Sequence, residues 1–297
     1  MITFLKNWML PIAMFAGIIF YSFFSKLTFL TPYLIFSMLF LTFSRLSPTE
    51  IKFSKLHFKL ITFQLLSAIL IWLIFYPINR LLGESGLICF LAPTATAAAV
   101  VTGLLGGSVS FITTYVFMSN IAIAILAPFL FSYMGAESGM TFMESVWLIF
   151  REVVPLLMAP LLLAWLIRYF SPKLLKQVQS IQGMSFYIWA FALMIVVGKT
   201  VNFMIHQERP DYLLEALIAM VSLVACLLQF FVGRRMGAKS GEVIAAGQSV
   251  GQKNTILAIW MSHIYLNPIV SIAPASYVLW QNIINSYQLW KARRKNN

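Results

Sequence analysis

The sequence predicts an all-α polytopic membrane protein with ten transmembrane helices, arranged as two inverted repeats of five. Three observations predict it: an apolar composition with few charges, ten hydrophobic segments whose flanking charges sort to opposite sides, and interrupted segments at matched places in the two halves. Hydrophobic residues make up 60% of the 297-residue chain and charged residues 10%, and mean hydropathy is +0.85. That lies outside the balance of an ordinary soluble domain. Backbone groups in lipid must pair internally, and the apolar runs lack the alternation of a barrel, so the spans read as helices.

The segments run at 8–24, 29–44, 58–79, 86–105, 109–133, 146–168, 184–204, 213–233, 242–264 and 268–290. Most approach or reach the roughly 17–25 residues that a helix needs to cross the hydrocarbon core. The first begins at Trp8, and no small-residue cleavage site leads from it into a soluble domain, so it reads as a retained span and not a signal peptide. Ten spans bring both termini to one side. Of the 21 Lys and Arg residues, fifteen fall on that side, among them Lys52, Lys55, Lys59, Arg234, Arg235 and Lys291, while Lys26, Arg80 and Arg209 fall on the other. By the positive-inside rule both termini are cytoplasmic, in the inner (plasma) membrane. Glu84, Glu137, Glu144, Glu208, Asp211 and Glu215 sort to the external side. The formal charge of +12 is therefore mainly topological and calls for no nucleic acid; its natural partners are anionic lipid headgroups, above all at Lys291–Lys295.

The fourth segment reads Ala92-Pro-Thr-Ala-Thr-Ala-Ala-Ala-Val-Val-Thr-Gly103, and the ninth Ala245-Ala-Gly-Gln-Ser-Val-Gly-Gln-Lys-Asn-Thr-Ile256. Proline removes a backbone hydrogen bond and paired glycines weaken a helix, so both are expected to unwind. Five spans per half invert the second half, and interrupted spans at corresponding places point to a site at mid-membrane. Close helix packing by small residues is the plainer reading of the same composition. Cys89 and Cys226 fall within apolar runs as buried free thiols, and no metal-ligand cluster accompanies them.

Leu91-Ala-Pro-Thr-Ala-Thr-Ala97, Gly247-Gln-Ser-Val-Gly-Gln-Lys-Asn-Thr255 and Trp280-Gln-Asn282 together resemble the bile acid:sodium symporter family. The resemblance implies a panel (1–57 and 134–212), a core (58–133 and 213–297, with the basic tail), and broken fourth and ninth helices that cross at the core centre. Substrate would pass by alternating access. It also implies that the sodium ligands are missing. The family's Ser-Asn pair after the fourth-span proline aligns with Ala98 and Ala99, and its fifth-helix hydroxyls align with Ile112 and Val116. Its bridging glutamate aligns with Ser249, a ninth-helix glutamine with Lys253, and a third-helix glutamine with Trp72. A hard cation needs several oxygen ligands, and few remain.

Lys253 lies eleven residues from either end of its segment, where a charge costs about 2.5–3.5 kcal/mol on insertion scales. Three readings stand. The ammonium replaces a bound cation among unwound carbonyls near Gly247–Gly251 and the proline-broken fourth span; or Lys253 titrates and carries protons or a substrate carboxylate; or it belongs to a static polar seam. Glu242 and Glu152 are the acids most readily considered as its partners, but Glu242 stands about 16 Å away along a continuous helix. Arg151-Glu152 and His263 read as interfacial, and Lys199 as a residue able to snorkel. Thr94, Thr96, Asn254, Thr255 and Asn282 are the candidate substrate contacts, the first four lying at half-helix starts whose dipoles favour anions.

The function expected is sodium-independent secondary transport of a small organic anion. The alternatives are a membrane receptor that binds an amphipathic ligand without flux, and a sodium-coupled symporter. Arsenite-exporter relatives place cysteine after the fourth-span proline, where this chain has Thr94. No cofactor, no metal and no enzymatic constellation of nucleophile, base or paired carboxylates is expected.

Overall fold

The computed structural model describes residues 2–134, 141–181, 183–208 and 210–296. Glu137 and Arg209, both assigned to the external side above, lie outside the described residues. The described chain is helical, without a strand. Its fourteen α-helices follow in order: α1 (Ile2–Ile19), α2 (Tyr21–Lys26), α3 (Thr31–Phe43), α4 (Lys55–Phe75), α5 (Arg80–Leu91), α6 (Ala98–Leu104), α7 (Val109–Met134), α8 (Phe142–Phe170), α9 (Pro172–Ser180), α10 (Met184–Ile205), α11 (Tyr212–Ala238), α12 (Val243–Gly251), α13 (Thr255–Tyr265) and α14 (Ile272–Asn296). Among the described residues, α4, α7, α8, α10 and α11 are long and apolar enough to cross a membrane.

Backbone packing divides the chain into two compact units, Met1–Arg45 with Val154–Asp211, and Leu46–Val153 with Tyr212–Asn297. In the first unit, α1 and α2 approach α10 at glycines. A Cβ on Gly17 would stand 2.8 Å from the Met194 carbonyl oxygen, and one on Gly198 2.8 Å from Phe24 Cβ. Small residues permit such close approach, which substitutes for the hydrophobic drive that lipid removes. The Ser44 carbonyl accepts from Arg168 Nη2 at 2.9 Å and Gln179 Nε2 at 2.8 Å, fastening the end of α3 to α8 and α9. Helix α9, in a stretch outside the ten apolar segments, buries Leu175 beneath a polar face.

The second unit holds the short helices α5, α6, α12 and α13. Ser54 and His57 cap α4 reciprocally, and the far nitrogen of His57 reaches the Phe111 carbonyl at 3.0 Å, pinning α4 to α7. This is a capping box in which histidine takes the usual place of glutamate. Asn79 starts α5 earlier than the apolar run predicts, its Oδ1 accepting from the N–H groups of Leu81 and Leu82. Glu84 consequently sits inside the helix, fully buried, and pairs with Arg80 Nε at 2.7 Å. Helices α11 and α12 approach closely: a Cβ on Gly233 would meet the Ala246 carbonyl oxygen at 2.5 Å. Gly241, at φ +73°, makes the left-handed turn between them that other L-residues rarely adopt.

Candidate functional site

Residues 92–97 separate α5 from α6, and 252–254 separate α12 from α13. The carbonyls at the end of α5 would each meet the N–H four residues on if the helix continued. Ile88 does, through Ala92 N at 3.1 Å. Cys89 cannot, because residue 93 is proline and has no N–H; Gln229 Nε2 from α11 takes that carbonyl at 3.2 Å. The N–H of Thr94 turns away to Ser119 Oγ at 3.1 Å, and Lys253 Nζ donates to the Phe90 carbonyl in its place at 2.8 Å. The N–H of Ala95 goes to the Gln252 carbonyl, and Gln64 Nε2 from α4 serves Leu91 at 3.2 Å and Ala92 at 3.0 Å. Tyr115 OH donates to Gln64 Oε1 at 2.8 Å, which fixes the direction of that amide. Side chains from α4, α11 and the 252–254 stretch thus replace the four bonds that helix continuation would have made.

The end of α12 is treated in the same way. Lys253 N–H donates to Gln281 Oε1 at 2.9 Å and not into its own helix, and Thr94 Oγ1 donates to the freed Ser249 carbonyl at 2.6 Å. Tyr277 OH serves the Gly251 carbonyl at 2.8 Å. Asn254 N–H donates to the Pro93 carbonyl at 2.8 Å and Ala95 N–H to that of Gln252 at 2.9 Å, so the two stretches run antiparallel with Thr94 opposite Lys253. Beyond them, Asn254 Oδ1 caps α13 through Leu257 N–H.

Lys253 is 1% exposed, and among the described residues no carboxylate pairs with it. What balances the ammonium is the carboxyl end of α5. A hydrogen bond from a charged donor contributes about 1.5–3 kcal/mol, and a cation at a helix carboxyl terminus gains about 0.3–1 kcal/mol, up to about 2 when partly buried. The sum is of the same size as the insertion cost of about 2.5–3.5 kcal/mol. The position can therefore hold a charged lysine without a carboxylate.

The candidate residues separate on these distances. Thr94, Ser249 and Lys253 meet at the paired stretches. Thr96 is half-buried in the 92–97 stretch, Ala98 and Ala99 open α6, and Ile112 and Val116 are buried on α7. Thr255 is buried at the first turn of α13. Asn282 bonds back onto its own helix, Nδ2 to the Val278 carbonyl at 2.7 Å; its neighbour Gln281 is the α14 side chain that reaches Lys253. Trp72 packs against the rings of Tyr76 and Tyr133, and the α4 glutamine that reaches the interruption is Gln64, two turns earlier. Glu152 accepts from Tyr265 OH at 2.7 Å, and among the described residues it makes no ion pair with Lys253. Lys199 is half-buried on α10, and Glu242 precedes α12. Sequence reasoning missed Gln64, Ser119, Gln229 and Tyr277. Their signal is a lone polar group inside an apolar run, which has to find a buried partner.

Among the described residues no three His, Cys, Asp or Glu side chains group as a metal site. No protein-family model matches the chain, and no curated protein matches it.

Proposed function

We propose that the chain is a secondary transporter for a small organic anion, with ten spans in two inverted repeats, both termini in the cytoplasm, and α5–α6 and α12–α13 as broken spans that cross at mid-membrane. It works by alternating access and without sodium. The observation that carries this reading is the 2.8 Å bond from Lys253 Nζ to the Phe90 carbonyl. A half-helix carboxyl end within a transporter is where a coupling cation is coordinated, and here a covalently attached cation holds it. The partial positive ends of α6 and α13 then face an anionic substrate, with Thr96, Asn254 and Thr255 as its contacts. The likeness to the bile acid:sodium symporter family supports the same reading through three short patches, and the apolar replacements Ala98, Ala99, Ile112 and Val116 account for the loss of sodium.

Uptake of a panel of radiolabelled organic anions into proteoliposomes tests the proposal. Flux that is unchanged when potassium replaces sodium supports it, and strict sodium dependence rules it out.

One observation favours a second reading. Thr94 and Lys253 tie the two interrupted ends to each other reciprocally, as a receptor fixed in one state would require. Saturable binding of an anion with no flux would favour that reading over transport.

A further inference from the structure

A row of uncharged amides leads away from the interruption along α12 and α14. Gln281, Asn285 and Gln288 stand at i, i+4 and i+7 on α14, which places them on one face. Gln248 and Gln252 stand one turn apart on the facing chain, linked by the Gln252 N–H to the Gln248 carbonyl at 3.1 Å. The two rows meet: Gln248 Nε2 donates to Asn285 Oδ1 at 2.9 Å and to Gln288 Oε1 at 3.3 Å. At the inner end, Gln281 holds the backbone of Lys253. At the outer end α14 continues to Lys291 and Arg294, both exposed.

Two acceptors in this row have no donor among the described residues. Gln248 Oε1 and Gln252 Oε1 are buried and unpartnered, on residues 1% and 5% exposed. An orphaned buried acceptor costs about 1–3 kcal/mol, so two of them on one seam select for a ligand that brings donors. A seam meant only to fasten two helices would have paired these oxygens, since each amide carries its own N–H groups. A carboxylate or phosphate brings no donors, and a large apolar group satisfies none. Water brings the donors these oxygens lack, and so does a small neutral solute bearing hydroxyl or amide groups.

We propose that these five amides line an aqueous half-path running from the Lys291 end of α14 to Lys253, closed in this structure where Gln248 holds Asn285 and Gln288 together. Its occupants are water and small neutral hydrogen-bond donors. The closing bonds are neutral amide pairs, so water exchanges with them at little loss. The half-path does not depend on what the chain carries, and it gives Lys253 contact with solvent from one side only.

Cysteine accessibility tests the path separately from transport. In a Cys89→Ala, Cys226→Ala background reconstituted in vesicles, N285C and Q288C are treated with a small neutral methanethiosulfonate from the side bearing the C-terminus. I283C, replacing a residue of the same helix that is 59% exposed and read as lipid-facing, is the control. We expect both amide positions to react at least about tenfold faster than the control, as water-lined positions do. On the unmodified chain, hydrogen–deuterium exchange over residues 248–252 is expected to outpace that over residues 222–230 of α11. Reaction at the amide positions no faster than at I283C overturns the path, and so does exchange at 248–252 no faster than in α11.

Discussion

Thr94 and Lys253 face each other across an antiparallel backbone pair, and each sends its side chain to the carbonyl end of the other's half-helix. Lys253 Nζ reaches Phe90 on α5 at 2.8 Å, and Thr94 Oγ1 reaches Ser249 on α12 at 2.6 Å. The exchange follows from the hydrogen-bonding needs of the backbone. Once the N–H of Thr94 turns to Ser119 Oγ and that of Lys253 to Gln281 Oε1, the carbonyls of Phe90 and Ser249 need donors, and the two facing residues supply them.

Removing the lysine charge therefore does not relieve the protein. Lys253→Met deletes an expensive buried ammonium but leaves the Phe90 carbonyl unpaired, at about 1–3 kcal/mol. Thermal unfolding in detergent is expected to show a lower Tm for Lys253→Met than for wild type. A clear rise would show that the carbonyl never needed the lysine.

Thr94→Val keeps shape and removes the donor to Ser249, so a loss of about 1–3 kcal/mol is expected. Thr94→Ser keeps the hydroxyl and should fall near wild type. Loss in Thr94→Ser with none in Thr94→Val would assign the effect to packing of the methyl group.

Gln64→Leu should cost more than Gln229→Leu. The first strands the carbonyls of Leu91 and Ala92 together with Tyr115 OH, and the second chiefly that of Cys89. At about 1–3 kcal/mol for each buried group left unpaired, the difference is readable as a larger drop in Tm. The reverse order would contradict the assignment of donors at the end of α5.

Gly233→Leu forces atoms into a space where even a Cβ meets the Ala246 carbonyl oxygen at 2.5 Å. Overpacking of this kind costs about 1–3 kcal/mol or more. Gly183→Ala, where a Cβ would meet nothing within 4 Å, is the matched tolerated change. Both are checked by the yield of monodisperse protein and its Tm.

The helical class and the apolar helices were legible from composition and run length, because lipid leaves the backbone few alternatives. Lys253 was legible as a buried charge from its distance to either end of an apolar segment. Its partner was not, since Phe90 offers only a backbone carbonyl and a sequence does not mark which carbonyls a helix end leaves free. The same limit hid Gln64 behind Trp72. The resemblance pointed to Trp72, and the side chain of α4 that reaches the end of α5 is Gln64, the one amide side chain between Leu60 and Leu70. Gln281 and Asn282 are neighbours of similar chemistry, and only the helix phase decides that Gln281 faces the interruption while Asn282 bonds back to Val278. The burial of Glu84 was not legible because an N-cap, Asn79, lengthened α5 beyond its apolar run.

Whether Lys253 occupies a cation's place is tested most directly by sodium-dependent stability. Wild type and Lys253→Gln are melted in sodium and in potassium at matched ionic strength. The wild type is expected to be indifferent to the exchange, and the variant to be stabilised by sodium over potassium, by about 2.7 kcal/mol at a hundred times its Kd. A wild type stabilised by sodium over potassium would contradict the surrogate role of Lys253.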